Sequence, residues 1–171
     1  MYFSPYLRTR NVVLVRKGSA APELTQAALE ASALKLGRVR GFRHEEAYDA
    51  LFSRLAPQGR VTEAADVAEL LRMLDRKVVD VVLSQPVVYR QYWDAEKIAA
   101  DFEVYDWAPA DQFSVGVLVF ARKSFTPAQA KRWDALVVKL LKDGTIGKLM
   151  RDYLDAAAAR ELVYSGPRLP D

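Results

Sequence analysis

The sequence contains no cysteine and a single histidine, His44, among its 171 residues. The absence of cysteine excludes disulfide bonds, thiolate metal sites and cysteine nucleophiles, and it leaves the redox compartment of the protein undetermined. A zinc site would need several carboxylates around one imidazole, and the sequence shows no such spacing. The sequence therefore predicts neither a metal site nor a cofactor.

The usual nucleotide-binding and nucleophile motifs are also missing. No GxxxxGK, GxGxxG or GxSxG pattern occurs. Glu45 and Glu46 form an acidic pair, but they open a predicted helix, where carboxylates are stabilised by the positive end of the helix dipole. We therefore predict that the protein is not an enzyme. The enzymatic alternative, a small dehydratase, has only His44 with Glu45 or Glu46 as its acid–base pair.

Long apolar runs and a large excess of one charge are absent as well. No segment approaches the roughly 18 apolar residues of a membrane-spanning helix, and the N-terminus lacks the apolar core of a signal peptide. The 25 Lys and Arg against 22 Asp and Glu leave a net charge of +3, which is too small and too scattered to indicate nucleic-acid binding. We predict no membrane insertion and no nucleic-acid partner.

What the sequence does contain is 51% hydrophobic residues, arranged as alternating strand and helix patterns. The continuous apolar run from Val12 to Val15 is typical of a strand buried on both faces. Strands are predicted at residues 11–16, 34–40, 60–63 and 78–83, and helices at residues 22–33, 45–55 and 67–74 and from residue 86. This alternation predicts an α/β fold in which helices cover both faces of a parallel sheet.

The remaining segments are less regular. Residues 2–6 are expected to be irregular, and two further strands are predicted at residues 102–107 and 113–121, separated by a polar turn around residues 109–112. The C-terminal third is predicted to be helical, with Thr145 capping the second of two helices. One helical stripe comprises Trp133, Leu136, Val137, Leu140 and Leu141.

Several segments resemble the type 2 periplasmic solute-binding proteins for polar amino acids. Residues 37–51 (GRVRGFRHEEAYDAL) are similar to the family's strand, turn and helix at which the helix N-terminus holds the ligand. Residues 70–83 (LLRMLDRKVVDVVL) resemble its helix, basic turn, aspartate and apolar strand, and residues 142–153 (KDGTIGKLMRDY) resemble its closing pair of helices. Residues 3–6 (FSPY), followed by the strand from Val12, resemble the crossing between its two lobes.

The resemblance implies a type II periplasmic-binding-protein-like fold, in which two lobes clamp an amino acid or similar small polar solute. It implies a lobe-one and hinge segment at residues 1–10, a complete lobe two at 11–107, a return to lobe one at 108–160 and a loose tail at 161–171. The family's first lobe-one strands have no counterpart here, so lobe one is expected to be incomplete. Its apolar stripes would then be exposed, covered by another copy of the chain, or folded onto lobe two.

The resemblance places one set of ligand contacts in the turn from Arg40 through Phe42 to His44. Free backbone N–H groups at a helix start favour a carboxylate, and Arg40 or Arg43 would add a charge-assisted hydrogen bond. The alternative is that both arginines and His44 are ordinary surface residues.

A second set of contacts is implied at Ser84 and Gln85, just past the C-terminal end of a strand, where open α/β sheets bind ligands. Capping of the following helix is the alternative role for both residues. Tyr6 would stack on the solute or belong to the core. Many amino-acid binders have an aspartate for the ligand ammonium where this chain has Gln85, so an anionic or less charged solute is an equal candidate.

The resemblance implies an extracytoplasmic solute-binding module of an ABC-type importer, with a periplasmic location, no cofactor, and the ABC permease as partner of the full-length protein. The alternative is a truncated or regulatory ligand-sensing domain of the same fold without a transport role, although the chain shows neither a helix-turn-helix nor a membrane segment. A third hypothesis is a remnant that binds nothing and persists as a homo-oligomer through its exposed lobe-one elements.

Overall fold

A computed structural model describes residues 1–19, 23–107 and 113–168 of the chain. The chain divides into two compact units. The central unit is Arg10–Gln112, and the terminal unit combines Met1–Thr9 with Phe113–Asp171. The chain therefore leaves the terminal unit once and returns to it. Whether these units are the two lobes predicted from the sequence stays a prediction.

The strands and helices of both units are short. In chain order the described elements are β1 (Tyr2–Thr9), β2 (Val12–Arg16), α1 (Gln26–Ala31), β3 (Leu36–Val39), α2 (Glu46–Leu55), a 3₁₀ turn (Ala56–Gln58), β4 (Val61–Ala64), α3 (Val67–Asp75), β5 (Val81–Ser84), α4 (Pro86–Tyr89), α5 (Ala95–Asp101), β6 (Phe102–Tyr105), β7 (Ser114–Phe120), α6 (Pro127–Lys142), α7 (Thr145–Met150) and α8 (Ala156–Leu162). The predicted helix start at Pro22 and the predicted turn at residues 109–112 lie outside the described residues.

The described strands of the central unit form one sheet in the order β4-β3-β5-β2-β6. β3 is parallel to β4 and to β5, as the alternating pattern predicts. β2 is antiparallel to both of its neighbours, so the expectation of a fully parallel sheet is wrong. The apolar run of β2 indicates that the strand is buried on both faces. It does not indicate in which direction the strand runs.

Both faces of this sheet are covered by helices. Val12 and Leu14 of β2 pack into a core with the buried leucines of α3, whereas Val13 and Val15 pack into a second core with α2. Each fully buried side chain of this size contributes about 1.5–3 kcal/mol relative to an exposed one. The central unit thus has the predicted layered α/β architecture.

The two longest helices of the central unit bury the stripes that the sequence predicts. The buried side chains are Tyr48, Leu51, Phe52 and Leu55 in α2 and Leu70, Leu71 and Leu74 in α3. Asp66 caps α3 by accepting a hydrogen bond of 2.8 Å from the Glu69 backbone N–H. α3 lies so close to β3 that a Cβ atom on Gly37 would stand 2.7 Å from Leu70 Cδ1.

In the terminal unit, β1 pairs with β7 in an antiparallel ladder that runs from Tyr2 opposite Phe120 to Thr9 opposite Ser114. The expectation that residues 2–6 are irregular is therefore wrong. The ladder register shifts between Pro5 and Leu7, and a bulge of this kind accommodates a proline that cannot donate to the ladder.

The helices of the terminal unit bury less of their apolar surface. α6 begins with a capping box between Thr126 and Gln129. Val137 is buried, but Trp133 is 46% exposed, so the predicted apolar stripe is only partly covered. Gly144, with a φ of +79°, is the N-cap of α7, and Thr145 is the first residue of that helix instead of its cap.

Arg168 attaches the C-terminal segment to the terminal unit. Its guanidinium donates to the Pro5 carbonyl at 2.7 Å and to Ser4 Oγ at 2.9 Å, and it forms an ion pair with Asp134. The Leu7–Val163 bridge adds backbone pairing beside β1. The tail expected to be loose from residue 161 is therefore held in place up to Arg168, because a buried strand supplies the acceptors.

Candidate functional site

A small pocket of about 120 Å³ lies in the central unit at the edge of the sheet where the C-terminal ends of β3 and β5 meet. Helices α2, α3 and α4 begin around the same edge. Its described lining residues are Asn11, Val39, Phe42, Arg43, His44, Val67, Leu70, Leu83, Ser84, Gln85 and Val88. Open α/β sheets bind ligands at this edge, so the topology and the cavity point to the same place.

The turn after β3 brings Phe42 to the rim of the pocket. Gly41 has a φ of +77°, a left-handed conformation that a residue with a Cβ atom rarely adopts. The Phe42 N–H donates to the Val39 carbonyl at 3.2 Å and closes the turn. The Phe42 side chain is 55% exposed, so its ring is free to cover a solute.

His44 is a polar member of the pocket lining, with a side chain that is 5% exposed. Its ring packs against Phe52, and its Nδ1 lies 3.5 Å from Asp49 Oδ1 without a hydrogen bond. Burial lowers the pKa of His44 below its usual value, and the nearby Asp49 carboxylate opposes this effect. A neutral imidazole, with one donor and one acceptor, therefore lines the pocket at neutral pH.

Glu45 joins two elements of the site through an interaction that the sequence did not predict. Its Oε1 accepts from the Asn11 backbone N–H at 3.1 Å, and its Oε2 accepts from Asn11 Nδ2 at 2.9 Å. The glutamate is only 8% exposed. This pair fixes the start of β2 to the start of α2. No local signal could have revealed it, because the two residues are 34 positions apart.

The two arginines predicted as ligand contacts differ in position. Arg40 does not line the pocket. Its Nε donates to Glu63 Oε2 at 3.2 Å. Arg38 donates to the other carboxylate oxygen of Glu63, Oε1. The two arginines lower the pKa of Glu63. Arg43 does line the pocket, but its side chain is 89% exposed and lies 3.7 Å from Asp49. Such exposed pairs contribute little to stability.

Ser84 and Gln85 both line the pocket, next to each other at the end of β5. Ser84 is buried, and Gln85 is the N-cap of α4 but makes no side-chain capping hydrogen bond. Tyr6 lies on β1 in the terminal unit, where its carbonyl accepts from the Tyr164 N–H at 3.3 Å. The structure thus brings together Phe42, Arg43, His44, Ser84 and Gln85, whereas Arg40 is not among the lining residues and Tyr6 belongs to the other unit.

A larger cavity of about 490 Å³ lies in the terminal unit and is lined by Ser4, Lys131, Asp134 and Arg168 among others. Three of its polar groups bond to one another, since Asp134 accepts from both Ser4 and Arg168. We therefore place the candidate site in the smaller pocket. Within the described ranges, no cluster of His, Asp and Glu could hold a metal ion, and no helix is long and apolar enough to cross a bilayer.

The sequence matches no protein-family model and no curated protein. Solved structures do resemble it. The cysteine-binding protein from Campylobacter jejuni gives a TM-score of 0.64 at 18% identity, over 96% of this chain and 63% of that chain. The binding component of an ABC transporter from Wolinella succinogenes, complexed with lysine, gives a TM-score of 0.67 at 16% identity, over 92% of this chain and 64% of that chain.

A third solved structure, the arginine-, lysine-, histidine-binding protein ArtJ from Geobacillus stearothermophilus, gives a TM-score of 0.62 at 16% identity, over 92% of this chain and 66% of that chain. The chain thus spans less than two thirds of the length of these solute-binding proteins. At this level of identity the likeness shows the fold. The chain has the α/β fold of the type II periplasmic binding proteins, and the predicted fold class is confirmed.

Proposed function

We propose that the protein is a solute-binding module of an ABC-type importer that acts outside the cytoplasm and binds an amino acid or similar small polar solute by lobe closure. The pocket at the C-terminal ends of β3 and β5 is the observation that carries this proposal. This pocket combines apolar lining residues with a few polar groups, a composition that is typical of small-molecule sites.

The division of the chain is consistent with this role. We assign the central unit as lobe two and the terminal unit as a part of lobe one. The solved structures of similar fold are amino-acid-binding proteins, and one of them is a component of an ABC transporter. The partner of the full-length protein would then be an ABC permease, and its location the periplasm.

The environment of the acidic groups supports binding over acid–base catalysis. Both carboxylate oxygens of Glu45 accept hydrogen bonds from Asn11 and are therefore already engaged within the protein. His44 is neutral and packed against Phe52. A catalytic dyad of His44 with Glu45 would have to break the Asn11 contacts first.

Thermal unfolding in the presence of single solutes tests the proposal. A solute that binds only the native state should stabilise it by about 2.7 kcal/mol at a hundred times its Kd. We expect one class among amino acids, polyamines and small carboxylates to shift the unfolding temperature. No shift with any class would contradict the proposal for this chain.

A matched pair of variants would locate the binding. Phe42 and Tyr92 are 55% and 50% exposed aromatic residues of the central unit, and only Phe42 lines the pocket. We expect Phe42→Ala to abolish most of the solute-induced shift and Tyr92→Ala to preserve it. Equal losses in both variants would place the solute elsewhere.

A further inference from the structure

The lining of the central-unit pocket is unusual for a protein that binds amino acids, because its described residues include no aspartate and no glutamate. Arg43 is the charged residue among them, and His44 is neutral at physiological pH because burial lowers its pKa. Gln85, Ser84 and Asn11 supply the remaining polar groups. A ligand cation entering this pocket would find hydrogen-bond acceptors but no counter-charge.

Three carboxylates near the pocket have partners of their own. Glu45 accepts two hydrogen bonds from Asn11. Asp49 accepts from the His44 backbone N–H at 3.2 Å and lies beside Arg43. Glu63 is engaged by both Arg38 and Arg40. Each of these carboxylates thus already has a partner within the protein, and none of them lines the pocket.

The pocket is also small and has an apolar floor. Its volume of about 120 Å³ lies well below the roughly 300 Å³ at which sites for drug-sized ligands begin. The floor consists of the apolar residues Val39, Val67, Leu70, Leu83 and Val88. A short aliphatic group fits both the size and the chemistry of this space.

We propose that this pocket holds the short, uncharged aliphatic end of the solute and discriminates against cationic solutes such as lysine and arginine. The inference rests on the proposed function and specifies its substrate class. Its physical basis is desolvation, because an ammonium group buried among valine and leucine side chains without a carboxylate partner loses its hydration and regains little. The specificity would thus be opposite to that of the fold relative complexed with lysine.

Ligand pairs that differ by one ammonium group test the charge discrimination directly. Norleucine and lysine have side chains of equal carbon number, and hexanoate and 6-aminohexanoate form the corresponding pair without an α-amino group. Titration calorimetry should show the uncharged member of at least one pair binding about tenfold tighter or more, a difference of about 1.4 kcal/mol. The pair that responds also tells whether the solute is an amino acid or a simple carboxylate.

A single substitution should reverse the preference. Gln85→Glu places a carboxylate in the pocket with almost no change in shape and breaks no side-chain capping bond. We expect it to shift the ratio of affinities toward the cationic ligand by about tenfold. Gln91→Glu adds the same charge to a residue that does not line the pocket, and it should leave the ratio unchanged.

The outcomes separate the two proposals. If lysine or 6-aminohexanoate binds the wild-type protein as tightly as its uncharged counterpart, the substrate class is wrong while the solute-binding function stands. If neither pair binds and no other solute stabilises the protein, both proposals fall. If Gln85→Glu and Gln91→Glu change the ratio equally, long-range charge controls selectivity and the pocket assignment is wrong.

Discussion

The central and terminal units bury their apolar residues to very different extents. The central unit encloses its sheet between helices and has two core clusters. In the terminal unit, the described strands form only the β1–β7 pair. The large apolar residues that remain exposed there include Phe3, Val115, Leu118, Val119, Trp133, Leu136, Leu149 and Tyr153.

The two units also differ in charge. The terminal unit has eleven basic and six acidic residues, which gives a net charge of +5. The central unit has fourteen basic and sixteen acidic residues, which gives a net charge of −2. The small net charge of the whole chain conceals this asymmetry.

A two-stranded ladder is marginal by itself, whereas five strands with helices on both faces can form an independent core. The comparison indicates that the central unit provides most of the stability of the chain.

Equivalent leucine truncations in the two units should have unequal effects. Leu71 in α3 is 2% exposed and Leu136 in α6 is 44% exposed. Leu71→Ala should lower the free energy of unfolding by about 2–5 kcal/mol because it leaves a cavity. Leu136→Ala should cost less than about 1 kcal/mol. Urea unfolding followed by circular dichroism measures both, and equal losses would show that the terminal unit has a core of similar quality.

Two glycine substitutions should change stability in opposite directions. In Gly37→Ala the new Cβ would lie 2.7 Å from Leu70 Cδ1 and 3.2 Å from Val79 Cγ2, so we expect a loss of about 1–3 kcal/mol from overpacking. Gly147 lies in α7 with its nearest neighbour at 3.5 Å. Gly147→Ala should stabilise the helix by up to about 1 kcal/mol. Thermal unfolding of both variants decides the signs, and a tolerated Gly37→Ala would mean that α3 packs loosely on the sheet.

The smallest expected effect is the pH dependence that His44 confers on the central unit. Because burial lowers the pKa of His44 in the folded protein, the unfolded chain takes up a proton first as the pH falls. Stability should therefore be lost as the pH drops below about 6.5, the usual histidine pKa, and be fully present above it.

The variant His44→Gln isolates this contribution, because the chain has no other histidine. We expect the stability of the wild-type protein to fall more steeply between about pH 7.5 and 5.5 than that of the variant. Urea unfolding at several pH values gives both slopes. Parallel slopes would mean that His44 titrates alike in the folded and unfolded chain.

Much of the central unit could be predicted from the sequence because its signals are local. The stripes of α2 and α3 are buried as their spacing predicts. The run from Val12 to Val15 predicted a strand covered on both faces, and its side chains indeed divide between two cores. The pocket residues from Phe42 to His44 and at Ser84 and Gln85 follow strand ends that could be located by pattern.

Other features depend on residues that are far apart in the chain. Pro5 and the short aromatic stretch around it suggested irregular structure, yet β1 becomes a strand because β7, more than 100 residues later, supplies its partner. The sequence placed Arg40 in the ligand site, but Glu63 on the neighbouring strand engages it. The sequence predicted no role for Asn11, although this residue donates two hydrogen bonds to the carboxylate of Glu45.

By itself, then, the sequence determined most elements of the central unit, the buried faces of its helices α2 and α3 and the α/β class of fold, because hydrophobic periodicity is a property of neighbouring residues. Only the tertiary structure decided that β2 runs against β5, that Arg40 is withdrawn from the pocket, and that no carboxylate lines it. Strand direction, ion pairing and the charge of a cavity arise from contacts between distant segments. Those contacts form at the cost of loop-closure entropy, and no periodic pattern of the sequence indicates them.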